Sequence, residues 1–182
     1  MSKTRFTDEY KGMIEAYPSA IQFQLNELFE SVISVIDSNN LVSILFIGSG
    51  SRNELSIKKM EEGYDLFSDY EFVIIVNKMI SKGELSILHQ VFYQLEKQWS
   101  VRSPLFHIDF GVSTYLKFKH TPPTLWAFEA KNMGVIVYGK DVRNDLIDVK
   151  VDNLDYGNLN ELIIVRLWNM LIHINNGFIN GK

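Results

Sequence analysis

The chain has 182 residues, 46% of them hydrophobic, a formal net charge of −4 and no cysteine. This suits one domain with a real core, and it excludes disulfides, zinc thiolates and thiol nucleophiles. The acidic balance, with a pI near 5.6, argues against broad binding to nucleic acid, which needs basic surface. The first residues are polar, and no run approaches the ~18 apolar residues of a membrane span, so the reading is a soluble cytoplasmic protein with no membrane partner.

In chain order, Thr7 caps a short helix that runs through Tyr17 and stops at Pro18. Ser19 opens a longer one over 19–37, whose apolar residues from Ile21 to Ile36 recur at three- and four-residue steps. Ser38-Asn39-Asn40 is a turn, and residues 42–47 form a first strand buried on both faces. Residues 48–68 hold a small-residue turn and a polar stretch that begins as a helix and finishes as a loop. A second strand follows over 70–76, a helix over 82–98, a third strand over 106–114, a short helix from Thr121-Pro122-Pro123 toward Ala130, and a strand over 135–138. Residues 141–157 are polar and loop-like. The last helix, 159–174, is apolar around most of its circumference and needs a partner. The four strands are expected to make one mixed α/β sheet, with helices 19–37 and 82–98 on one side. Residues 1–157 read as one domain, with N-terminal helices over 8–37 and a core over 41–142; residues 158–182 read as the start of a helical appendage.

The chemistry gathers behind Gly48-Ser49-Gly50-Ser51-Arg52, which follows the first strand. Asp69 and Glu71 alternate onto one strand face, and Asp109 sits in a second apolar strand. Three converging carboxylates repel one another unless a cation joins them, and hard oxygen donors suit Mg²⁺ or Mn²⁺. A turn of exposed backbone N–H groups beside such a metal makes a triphosphate site. Arg52 either donates to a phosphate or pairs with Glu54 or Asp65. His107 shares a strand face with Asp109 and either packs beside the site or touches the acceptor or a metal-bound water. Lys140 and Arg143, just after a strand end, read as a solvated loop before a contact to base or phosphate, and Trp99, Trp126, Phe128 and Tyr138 as core, whereas Tyr64 and Tyr70 flank the acids and are candidates for stacking on a base.

An apolar strand, Gly48-Ser49, then Asp69-x-Glu71 and Asp109 on successive strands resembles the nucleotidyltransferase superfamily, typified by DNA polymerase β and by the minimal and antibiotic-modifying nucleotidyltransferases. The segment from Val135 to Asp141 is similar to one that follows the catalytic strands in the minimal members. The resemblance covers about residues 41–142, with 55–67 as an insertion at the rim of the site. It implies two metal ions on Asp69, Glu71 and Asp109, with Asp109 nearest the acceptor hydroxyl. It also implies an NTP, ATP foremost, held by Gly48, Ser49, Ser51 and Arg52. The activity implied is transfer of a nucleoside monophosphate to a hydroxyl of a small molecule, such as an aminoglycoside-like sugar, or of a protein side chain. The last helix is expected to pack on the first helices, on a second copy or on helices of a longer chain, and the helical C-terminal domain of many members implies one of the latter two. Two other readings stand beside this one: a non-catalytic nucleotide sensor with the same fold, which has no need of three metal ligands, and a metal-dependent phosphohydrolase, for which histidines at ligand spacing are missing.

Overall fold

The computed structural model describes residues 6–61, 63–99 and 106–149, together with helical positions 160, 163, 164, 167, 168 and 171. Helix α1 (Asp8–Ile14) is capped by Thr7, whose hydroxyl accepts the Tyr10 N–H at 3.2 Å. It ends before Tyr17, and the chain turns at Pro18 into α2 (Ser19–Val35). Ile21, Leu25, Leu28, Phe29 and Val32 make the buried face of α2, the stripe that the spacing predicts. Strand β1 (Leu41–Ile47) follows and passes directly into α3 (Gly48–Ser51), a single turn.

The stretch expected to start as a helix and end as a loop is instead an antiparallel ribbon, β2 (Ile57–Lys59) and β3 (Tyr64–Leu66). Its apolar residues follow the period of a strand. Ile57 pairs with Leu66 and both pack toward the main core with Leu55, while Lys58 and Lys59 stay in water. Then come β4 (Tyr70–Val76) and α4 (Lys82–Trp99). The first turn of α4 is a reciprocal capping box: Ser81 Oγ accepts the Glu84 N–H at 3.1 Å, and Glu84 Oε2 accepts the Ser81 N–H at 2.8 Å. Strand β5 (Ile108–Thr114) leads into α5 (Tyr115–Lys119), a turn too short to show a helical period in the sequence. Helix α6 (Leu125–Asn132) is capped by Thr124, three residues after Thr121, where the helix was expected to open. Strand β6 (Val135–Gly139) and a 3₁₀ turn (Arg143–Asp145) complete the described order.

The sheet is mixed, in the order β5-β4-β1-β6. β1 runs antiparallel to β4 and β6, and β4 runs parallel to β5. One face carries Phe46, Phe72, Ile74 and Val137 against α1, α2 and α4, so the two long helices lie on one side as predicted. Phe29 sits edge-on to Tyr10, Phe46 and Phe72, with centroids 5.3–5.5 Å apart. The other face carries Leu45, Val73, Ile75 and Ile136 and is covered by Phe118 of α5 and Ala130 of α6. Tyr70 is a correction to the sequence reading. It is fully buried, donates its hydroxyl to Gln24 at 2.9 Å and packs on Phe106 and Trp99, so no base can stack on it.

The boundary expected at residue 157 lies outside the described residues. Of the last helix, Ile163, Ile164, Leu167, Trp168 and Leu171 are each more than half exposed. No helix among the described residues is long and apolar enough to cross a membrane.

Candidate active site

The site grows from one end of the sheet. Ile47, the last residue of β1, pairs with Glu71 of β4, and Glu71 pairs with Asp109 of β5. Partners in a ladder point to the same face, so Glu71 and Asp109 share the face that α5 and α6 cover further along. Gly48 leaves this row with φ of +70°, and a Cβ there would fall on the Glu71 carboxylate. Only glycine lets the backbone turn and rest on the acid at that point.

The turn is braced from below. Gly50 lies against the Phe46 ring, where a side chain has no room, and its carbonyl accepts the buried Tyr17 hydroxyl at 2.8 Å. Burial pushes that hydroxyl up to about 12, so it stays a donor. Ser51 is buried and donates to the Gly48 carbonyl at 3.0 Å, and the Glu54 N–H reaches the Ser49 carbonyl at 2.9 Å.

Above the turn is a polar cavity of about 270 Å³. Gly48, Ser49 and Arg52 form one wall, the run from Phe67 to Asp69 with Glu71 forms another, and Glu129 reaches in from α6. Arg52 spans it, donating through Nε to Glu54 at 2.7 Å and through Nη1 to Glu129 at 3.4 Å. The bond to Glu54 raises the guanidinium's pKa, and Glu129 and Glu71 add to the effect. Asp65, the other partner considered for Arg52, is buried in the hairpin. Asp69 precedes β4 and accepts the His107 N–H at 3.0 Å through Oδ1, while the His107 ring pairs with Glu96 of α4 at 2.6 Å.

The fold thus brings Gly48, Ser49, Arg52, Asp69 and Glu71 into one cavity. Asp109 stands beside Glu71, exposed and outside the cavity lining, and Ser51 is spent inside the turn. Sequence reasoning missed Phe67, Ser68 and Glu129. The first two directly precede Asp69 and were open to notice. Glu129 lies on a helix with no spacing relation to the acids. Lys140 binds Asp145 at 3.0 Å and the Tyr115 hydroxyl at 2.8 Å, and Arg143 binds Asp141 and Glu9, so both brace structure.

The donors are hard carboxylate oxygens beside backbone N–H groups, a set whose chemistry fits Mg²⁺ or Mn²⁺ with a phosphate chain. Among the described residues, no three His, Asp or Glu side chains stand close enough as placed to hold a metal ion.

No protein-family model matches the chain, and no curated protein matches it in sequence. Among solved structures it is similar to the spectinomycin adenyltransferase AAD(9) from Enterococcus faecialis, solved with ATP and spectinomycin. The TM-score is 0.54 and the identity 17%, over 72% of this chain and 61% of that one. A toxin-antitoxin structure with AMP-PNP is more distant, with a TM-score of 0.36 and 12% identity over 83% of this chain and 89% of that one, and adds nothing to the assignment. The fold is of the nucleotidyltransferase type. The chain spans about three-fifths of the length of the spectinomycin adenyltransferase.

Proposed function

We propose that the chain is a metal-dependent nucleotidyltransferase, moving a nucleoside monophosphate from an NTP to a hydroxyl and releasing pyrophosphate. The observation that carries this reading is the seating of the Gly48 backbone on the Glu71 carboxylate, in a cavity shared with Ser49, Arg52 and Asp69. The turn's N–H groups and the Ser49 hydroxyl suit the β- and γ-phosphates, and Arg52 adds a cation across from the acids. Asp69 and Glu71, with Asp109 beside them, would hold Mg²⁺ or Mn²⁺, two ions in the full site. When bound, the metal neutralises phosphate charge and lowers the pKa of the acceptor hydroxyl. The chain's own residues position the reactants. Asp109, exposed next to Glu71, would take the acceptor's proton.

ATP is the favoured nucleotide, since the similar adenyltransferase was solved with it. The acceptor is a hydroxyl-bearing small molecule or a protein side chain, and the reaction suits the cytoplasm. The exposed apolar positions of the last helix suit a cover of further helices in a longer chain or of a second copy.

Transfer of label from α-labelled ATP to a panel of aminocyclitol and protein acceptors, with and without Mg²⁺, tests the reading. Asp69→Asn and Asp109→Asn should each reduce turnover by orders of magnitude while leaving thermal melting nearly unchanged, because losing a ligand also relieves repulsion between carboxylates. ATP binding with no transfer to any acceptor, or full transfer by Asp69→Asn, would remove the mechanism.

A further inference from the structure

Asp69, in the cavity lining, is linked through one residue to a carboxylate outside it. Asp69 lies just ahead of β4, and its Oδ1 accepts the His107 N–H at 3.0 Å. In return, the His107 carbonyl accepts the Tyr70 N–H at 3.0 Å. His107 is therefore tied to residues 69–70 through both of its backbone groups. On its outer side β5 is a sheet edge, where a backbone N–H has no strand to meet. There the Ile108 N–H donates to Glu96 Oε1 at 2.7 Å, and the same oxygen stands 2.6 Å from His107 Nδ1. Glu96 belongs to the last turn of α4, its side chain is only 21% exposed, and its neighbour Leu95 is buried in the main core. One carboxylate thus grips residues 107–108 from the helix side while Asp69 grips His107 from the site side. The next residue, Asp109, stands opposite Glu71 in the ladder.

We propose that Glu96 is a positioning residue for the metal-binding carboxylates. By fixing the start of β5 against the end of α4, it sets where the His107 N–H meets Asp69 and where Asp109 stands relative to Glu71. The proposal rests on the metal-dependent reading of the site. Its physical basis is that a ligand's orientation and basicity are set by the hydrogen bonds behind it, so a partner behind the ligand governs metal affinity without touching the metal. The strength of the grip follows from burial: removing Glu96 leaves the Ile108 N–H without its acceptor in a half-dry setting.

The test is calorimetric titration of the full chain with preformed Mn²⁺–AMP-PNP, repeated with AMP-PNP in EDTA. Glu96→Ala should weaken binding of the manganese complex by roughly 10- to 100-fold and leave binding of the metal-free nucleotide unchanged. Glu96→Gln should recover most of the loss, because an amide oxygen in the place of Oε1 still accepts from the Ile108 N–H and from an Nδ1–H of His107. Should Glu96→Ala fail to fold, Glu96→Asp keeps the charge but falls one methylene short, and should weaken the manganese complex in the same direction with unchanged melting. The idea is overturned if the folded variants bind the manganese complex as tightly as the parent, if they lose both forms of nucleotide equally, or if the Gln variant falls as far as Ala. A parent chain that binds both forms alike would sink the metal-dependent reading and this proposal with it. Metal-dependent binding in the parent with unchanged variants would sink this proposal alone.

Discussion

Gly48 is where the proposed site depends most narrowly on one residue. Its φ of +70° and its contact with Glu71 exclude a side chain on two separate grounds. Gly48→Ala pays for left-handed backbone, about 1–2 kcal/mol, which for a chain of this size lowers the melting temperature by about 2–8 °C. The added methyl also pushes the Glu71 carboxylate from its seat, so nucleotide affinity should fall further than stability does. Thermal melting and nucleotide titration on the same preparation check this, and unchanged affinity in a folded variant would show that the seat is incidental. Arg52 shows the opposite economy. Its guanidinium is shared between Glu54 and Glu129, so its orientation at the cavity wall is fixed by two partners.

At the scale of elements, α1 is held to the sheet by hydrogen bonds as well as by its apolar face. The Thr7 N–H donates to the Val137 carbonyl at 3.0 Å, covering the open edge of β6. Arg143, after β6, donates to Glu9 of α1 at 2.6 Å, to Asp141 at 2.7 Å and to the Gly134 carbonyl at 2.8 Å. Arg143→Ala should cost about 1–3 kcal/mol, toward the lower end because Glu9 and Asp141 are partly in water. The hydrogen bond from Arg143 holds the Asp141 carboxyl below its ordinary 3.8. A depressed carboxyl contributes stability that is present above its unfolded value and is lost as pH falls through the lower folded value. The difference in stability between parent and variant should therefore be larger at pH 7 than at pH 3. Urea unfolding at both values measures it, and a gap independent of pH would show that Asp141 contributes nothing through its charge.

At the scale of the molecule, Phe29 joins helix to sheet. It is fully buried and makes edge-on contact with three rings from α1, β1 and β4. Phe29→Ala should cost about 3–5 kcal/mol, because the surrounding aromatics are too rigid to fill the space. Chemical denaturation gives the value, and a loss below about 1 kcal/mol would mean that the core re-collapses there. The same aromatic core carries β1 and β4, whose ends hold the turn and the acids.

Elements whose signal is local and repeated are legible along the chain. The stripes of α2 and α4 and the apolar runs of β1, β4 and β6 follow from periods of 3.6 and 2 within a few residues. The Gly48-Ser49 turn was legible because glycine before a small polar residue, directly after an apolar strand, has few other uses. Other features arise only when distant elements meet. The ribbon over 57–66 exists because Ile57 and Leu66 find the main core, a partner that no local window contains. Tyr70 is core because strand register turns it toward Phe106 and Trp99, although its neighbours in sequence are the site's acids. Glu129 enters the cavity, and Glu96 reaches the start of β5, only because packing brings α6 and α4 to those strand ends. Such meetings depend on how whole elements are placed, and that is fixed by the sum of many buried contacts rather than by any pattern along the chain.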